Sequence, residues 1–294
     1  MYFKRILMAV DLSSHDDQLF AYTQLLVDKI GAEKIYLLHV IPNPILLENP
    51  VSSYRNLLST DNRIDENVKN LLNKKVDQYF NSDKLKVEIE VVEGAPYKEL
   101  LQFAEGKEID LVVVGKKKAS EGSGITAKRL VRKTKASVLF VPDDVNAEFK
   151  SILVPVDYSD HSAKALRLSL LLKEQSQNEL EVEALHVTRL LPMDNHYGLS
   201  RNQVYIDTLL ENSKKSFDTF IRKESFDKAL FSQEVIPVRF NNIGEDIQSF
   251  AKRHDLDLIM IGANGHSAFD SVVFGSVTEQ LVNLPMDIPI LVLR

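Results

Sequence analysis

The chain is written twice, and that repetition limits its fold more than any other feature. Lys4-Arg-Ile-Leu-Met-Ala-Val-Asp11-Leu-Ser13 returns as Lys150-Ser-Ile-Leu-Val-Pro-Val-Asp157-Tyr-Ser159. Ile35-Tyr-Leu-Leu-His39-Val40 returns as Val182-Glu-Ala-Leu-His186-Val187, and Asp110-Leu-Val-Val-Val-Gly115 as Asp257-Leu-Ile-Met-Ile-Gly262. Ser137-Val-Leu-Phe-Val-Pro142 answers Pro289-Ile-Leu-Val-Leu-Arg294. Four matched segments at a period of about 147 residues mark a tandem duplication, so one supersecondary plan must serve both halves. The junction falls near Asp143 to Phe149, which divides the chain into domains 1–145 and 148–294. A length of 294 residues suits two domains of ordinary size.

Within each copy, short apolar runs without alternation are separated by amphipathic stretches. Such runs are the mark of strands buried on both faces of a parallel sheet. In the first copy they are Ile6–Val10, Ile35–Val40, Val87–Val92, Leu111–Val114 and Val138–Val141. Helical periodicity fills the gaps at 14–30, 61–80, 96–105 and 126–134, then again at 160–173, 203–223, 245–253 and 277–283. Strand–helix alternation of this kind predicts an α/β fold: two tandem doubly wound, Rossmann-like domains, each a five-stranded, mostly parallel sheet flanked by helices. Ligands of such sheets sit beyond the carboxyl ends of the strands, at the switch point. Asp157, Val187, Gly262 and Gly275 all fall at strand ends or in the loops that follow.

Composition narrows the function. No apolar run reaches the roughly 20 residues of a membrane span, and the N-terminal segment is too soon interrupted by Asp11 to read as a signal peptide. With no Cys, disulfides, thiol catalysis and Cys-ligated metal are excluded, and the chain reads as cytoplasmic. Residues 1–147 carry 21 basic and 21 acidic side chains and residues 148–294 carry 15 and 21, so the whole net charge of −6 lies in the second half. That balance argues against nucleic-acid binding there.

The stretch Ile259-Met-Ile-Gly262-Ala-Asn264-Gly265 leads over nine residues to Gly275-Ser276-Val277-Thr-Glu279. A strand broken at glycine, then a glycine opening a helix, is how α/β proteins bring backbone N–H groups and a helix dipole to a phosphate. The same letters also read without a ligand. Gly262 then only ends a strand, and Ser276 with Glu279 forms a capping box.

Taken together, a strand ending in Asp157, then Leu185-His186-Val187, then Gly262-x2-Gly265-x9-Gly275-Ser276-Val277, resembles the universal stress protein family in its ATP-binding branch. The likeness covers both halves. It implies a fold of the adenine nucleotide alpha hydrolase type and a stress-response regulatory protein that binds ATP, AMP or ADP, with Mg²⁺ as a companion ion. Carried over by position, it puts Pro155, Val156, Asp157 and Val187 with base and ribose. Ile261, Gly262, Asn264, Gly265, Gly275, Ser276 and Val277 then line the phosphate side. It also implies that the halves pair through their last strands, since Val138–Val141 and Ile290–Leu293 are apolar edges that need covering. A homodimer and an unidentified protein partner stay open.

The first copy departs from this pattern. Aligned on Leu130-Val131 against Leu281-Val282, its loop Gly115-Lys116-Lys117-Lys118-Ala-Ser-Glu-Gly-Ser-Gly124-Ile125 is four residues shorter, has Lys118 in place of the second glycine, and has Ile125 where Ser276 stands. The three lysines read as a solvated basic loop or as a phosphate attractor. Asp157 and Asp11 read either as caps of the following helices or as ligand acceptors. His39 and His186, inside apolar strands, read as satisfied core residues, and His266 as a loop residue or a phosphate contact. Lys128, Arg129, Arg132, Lys133 and Lys135 form a solvated stripe or a partner surface. No nucleophile, base and orienting acid share a supporting spacing, and Walker A and nucleophile-elbow patterns are missing. Slow ATP hydrolysis or nucleotidyl transfer through Asp157 and a metal, and a nucleotide-free interaction role, are the competing readings.

Overall fold

The computed structural model describes residues 3–42, 62–80, 85–116, 124–145, 150–177, 179–189, 202–239, 242–265 and 274–294. It divides into two compact units, Met1–Glu148 and Phe149–Arg294.

The first unit contains strands β1 (Arg5–Val10), β2 (Lys34–Pro42), β3 (Lys86–Gly94), β4 (Leu111–Lys116) and β5 (Ser137–Pro142). Between them lie helices α1 (Asp16–Ile30), α2 (Asn62–Tyr79), α3 (Pro96–Gly106) and α4 (Gly124–Lys133). Its strands run in the order β3-β2-β1-β4-β5 and every pairing is parallel. The apolar runs dictate this. Ile6, Leu7 and Met8 on the central strand are fully buried, flanked by Ile35–Leu38 and Leu111–Val114. Burial of that apolar surface, at about 25 cal/mol per Å², is the main term favouring the layered arrangement.

The second unit repeats the plan with β6 (Ser151–Pro155), β7 (Glu181–Thr188), β8 (Ser232–Pro237), β9 (Leu258–Gly262) and β10 (Ile290–Leu293). Its helices are α5 (Asp160–Gln175), α6 (Gln203–Lys223), α7 (Ile243–Arg253) and α8 (Ser276–Asn283). The strand order is β10-β9-β6-β7-β8, again parallel throughout. The chain leaves β6 in one direction for β7 and β8 and returns on the other side as β9 and β10. The switch point therefore lies beyond the carboxyl ends of β6 and β9.

Two expectations need adjustment. Val87–Val92 is not buried on both faces: β3 and its counterpart β8 are half-exposed along most of their length, because each ends its unit's strand order and has one paired neighbour. Helix α7 starts at Ile243, two residues before the predicted Glu245, because the side chain of Asn242 accepts from Gly244 N and caps the turn.

Both copies use the same turn after the first strand. Leu12 and Tyr158, the residues that follow Asp11 and Asp157, have φ of 62° and 68°. A side chain in that region costs of order 1 kcal/mol and persists where its surroundings fix it. For Tyr158 the fixing is visible: its ring stacks on His186 at 4.5 Å and its hydroxyl donates to Ser213 O at 3.0 Å.

Candidate functional site

The floor of the site is set by the end of β6. Val156 N donates to Leu185 O at 2.8 Å, and Nδ1 of His186 donates to Val156 O at 2.8 Å. His186 is thus a satisfied but only half-buried residue, with the N–H on Nδ1. Burial pushes its pKa down, partly offset by the Val156 carbonyl and the charge of Asp157.

Asp157 follows, with Oδ1 accepting from Ser159 N at 3.1 Å and Ser159 Oγ at 2.6 Å. The cap of α5 is Ser159, whose Oγ accepts from Ser162 N at 3.2 Å. Asp157 orients that cap rather than supplying it. Its second oxygen, Oδ2, points at Gly265, where a Cβ would fall inside the oxygen's van der Waals shell. Only glycine lets the loop pass this close to the carboxylate.

Gly262 has a different reason. A Cβ there would meet His161 Cβ at 2.7 Å and its backbone at 3.0 Å, so this glycine lets α5 press against β9. Beyond it the loop closes on itself: Gly275 N donates to Ala263 O at 2.8 Å and Thr278 Oγ1 donates to Gly262 O at 2.8 Å. The capping box of the ligand-free reading does not form. Gly275 is the N-cap, no side chain caps the helix, and Ser276 is the first helical residue and exposed. The reason is register: with the N-cap one residue earlier, Ser276 and Glu279 cannot reach each other's N–H groups. The amides of Ser276, Val277 and Thr278 are therefore first-turn donors with no acceptor within the helix.

These elements enclose a cleft of about 440 Å³. Every residue predicted for the site borders it: Pro155, Val156, Asp157 and Val187 on one side, and Ile261, Gly262, Asn264, Gly265, Gly275, Ser276 and Val277 on the other. Ser162, Leu185, His186, Arg189, Ile243, Ile247 and Thr278 also line it and were not predicted as site residues. Ile243 and Ile247 are an i,i+4 apolar pair on α7, legible only with the helix start placed correctly. Arg189 directly follows the end of β7 at Thr188, where no sequence motif singles it out. Among the described lining residues it is the only Lys or Arg, and Asp157 the only carboxylate. The arrangement offers an apolar slot, one acceptor, one cation and a set of peptide N–H groups. That is a donor set for a flat heterocycle carrying an anionic tail. Among the described residues no group of three or more His, Asp or Glu is placed to hold a metal ion.

The first unit has a counterpart cleft of about 220 Å³ bordered by Val10, Asp11, His15, Val40, Leu100 and Thr126, among others. Asp11 Oδ1 accepts from Ser13 N at 3.1 Å, as Asp157 does from Ser159. His39 Nδ1 donates to Val10 O at 2.9 Å, the twin of the His186 bond. Lys116 is buried, and that burial, helped by the charge of Lys128, pushes its pKa down to about 8. Lys117, Lys118 and His266 lie outside the described residues, as do most of the connections at 41–60 and 189–202. Arg129, Arg132, Lys133 and Lys135 are exposed and Lys128 is half-buried. No described helix is long and apolar enough to cross a membrane.

A model of the universal stress protein family matches residues 2–142 and again 148–294. Universal stress protein YxiE of Bacillus subtilis (strain 168) is 28% identical over 151 residues, which cover 50% of this chain and 99% of that protein. Among solved structures, a universal stress protein from Archaeoglobus fulgidus DSM 4304 superposes with a TM-score of 0.67 at 18% identity, covering 100% of this chain and 99% of that one. A functionally unknown protein from Pseudomonas aeruginosa PAO1 superposes with a TM-score of 0.64 at 11% identity, covering 99% and 92%. At such identities these superpositions bear on the fold.

Proposed function

Because the chain belongs to the universal stress protein family, we propose that it is a stress-response regulatory protein that binds one adenine nucleotide, ATP or its mono- or diphosphate, in the cleft of residues 148–294. The supporting observation is Gly265 against Asp157: the loop comes so near the carboxylate that no side chain fits between them. Base and ribose would occupy the slot between Val156, Val187 and Ile247, with a ribose hydroxyl donating to Asp157 Oδ2. The phosphates would take the amides of Ser276, Val277 and Thr278 together with the positive end of the α8 dipole. With a single carboxylate in the described lining, Mg²⁺ would enter as the nucleotide's own counter-ion.

Regulation follows from how the walls are joined. Gly244 N donates to Gln280 Oε1 at 3.2 Å, and a Cβ on Gly244 would meet Leu281 N at 2.9 Å. Helix α7, on the base side, and α8, on the phosphate side, are thus packed backbone to backbone. A ligand touching both would fix their relative position and change the surface shown to a partner. Equilibrium dialysis against ATP is expected to find close to one nucleotide per chain. Finding none, or finding that tripolyphosphate binds as tightly as ATP, would refute the reading.

A further inference from the structure

Arg189 is the one cation in the described lining of the second cleft, and its place on the strand decides which part of a ligand it meets. It stands two residues beyond Val187, directly after the end of β7. The pairing of that strand continues to its last residue, since Val238 N donates to Thr188 O at 2.9 Å. Side chains of an extended strand alternate between faces, so positions 187 and 189 share one. The cleft follows this alternation: Val187 and Arg189 border it, and the buried Thr188 between them does not.

Strand order sets Arg189 apart from the phosphate side. β6 lies between β7 and β9, so the end of β7 is two strand spacings, about 10 Å, from the end of β9. The start of α8 is tied to the β9 end by the bond from Gly275 N to Ala263 O at 2.8 Å. The first-turn amides of α8 are therefore on one side of Asp157, and Arg189 is on the other with Val187 and Ile247. Charge agrees with this placement. Arg189 and Asp157 are the only opposite charges in the described lining, yet no ion pair joins them, and Arg189 has no ion-pair partner among the described residues. Arg189 is exposed at the mouth of the apolar slot. A guanidinium is flat and weakly hydrated, and it stacks on aromatic faces in a way that the point charge of an ammonium does not match.

We propose that Arg189 stacks on the solvent-facing side of the bound base and so sets a preference for purines, and that it does not hold the phosphates. This rests on the reading that the second cleft takes an adenine nucleotide. A two-ring base offers the guanidinium more π surface than a one-ring base, so the contact favours ATP over CTP.

The experiment is equilibrium dialysis of the full chain with labelled AMP, ATP and CTP, for the wild type, Arg189→Ala and Arg189→Lys. Arg189→Ala should weaken AMP and ATP by the same factor, about fivefold, and weaken CTP less. Its urea midpoint without nucleotide should equal that of the wild type, because the side chain is exposed. Arg189→Lys keeps the charge and loses the plane, so it should bind AMP and ATP more like the alanine variant than like the wild type. A loss for ATP that exceeds the loss for AMP, recovery of ATP affinity in Arg189→Lys, a shifted urea midpoint, or no loss in Arg189→Ala would overturn the proposal and leave the nucleotide reading standing. A wild type that binds neither AMP nor ATP would refute that reading and this proposal with it.

Discussion

Gly265→Ala isolates the contact on which nucleotide binding is argued to depend. The new methyl group needs space that Asp157 Oδ2 occupies. Asp157 cannot turn aside freely, because its other oxygen accepts from Ser159 N at 3.1 Å and Ser159 Oγ at 2.6 Å. Hydrogen bonds to a charged group are each worth about 1.5–3 kcal/mol, so a carboxylate turned aside to admit the methyl group, and no longer facing the ribose, costs the ligand about 2 kcal/mol. If the loop moves instead, the ligand loses contacts of similar worth. Either way, ATP affinity should fall about thirtyfold. In a thermal shift assay, ATP at a hundred times the wild-type Kd stabilises the wild type by about 2.7 kcal/mol. For a unit of this length that is roughly 5–10 °C. At the same concentration the variant gains only about 0.9 kcal/mol, or roughly 2–3 °C. A variant that keeps the full wild-type shift would refute the steric argument and with it the placement of the ligand.

Thr278→Val removes the donor to Gly262 O, a buried bond of 2.8 Å; it should cost about 1–3 kcal/mol, read as a lower urea midpoint without nucleotide. Gly244→Ala drives a methyl group into Gln280 and the backbone of Leu281. It should destabilise the second unit by about 1–3 kcal/mol and weaken ATP binding as well, since it separates α7 from α8. His186 has a folded-state pKa below its ordinary 6.5 because it is half-buried. Below pH 6.5 the unfolded chain therefore takes up the proton first, and stability should fall until the folded-state pKa is passed. Urea titrations at pH 7 and pH 5.5 should show a loss that His186→Gln reduces.

The fold was legible because parallel strands leave an unambiguous mark. Runs such as Ile6–Val10 and Leu258–Ile261 have no polar alternation to confuse them with surface strands, and duplication supplies each reading twice. What the sequence hid were effects of neighbours. One miss was legible all the same: Glu88 and Glu90 alternate with Val87, Ile89 and Val91, the pattern of a half-exposed strand, and β3 is half-exposed at its place in the strand order. Ser276 and Glu279 have the letters of a capping box, but the bond from Gly275 N to Ala263 O sets the helix start so that the box cannot close. Gly262 borders the cleft, but what demands glycine there is His161, whose Cβ and backbone a side chain would meet.

The two clefts differ in a way that follows from what each half of a nucleotide demands. A heterocycle is held by apolar walls, where Val, Leu and Ile replace one another at small cost, so Leu100 can stand for Ile247 and the slot survives. A phosphate is held by peptide N–H groups that only a missing side chain exposes. There, one substitution such as Lys118 in place of Gly265 removes the glycine that such an approach depends on. Drift after duplication should therefore remove the phosphate grip first and the base slot last. The first unit keeps the apolar walls, and its sequence lacks the counterparts of Gly265 and Ser276. Putting glycine back at position 118 alone should not restore ATP binding there, because Asp16 would still set a second carboxyl group behind Asp11. Gain of a second ATP per chain in Lys118→Gly, measured by dialysis, would show that electrostatics play no part in the loss.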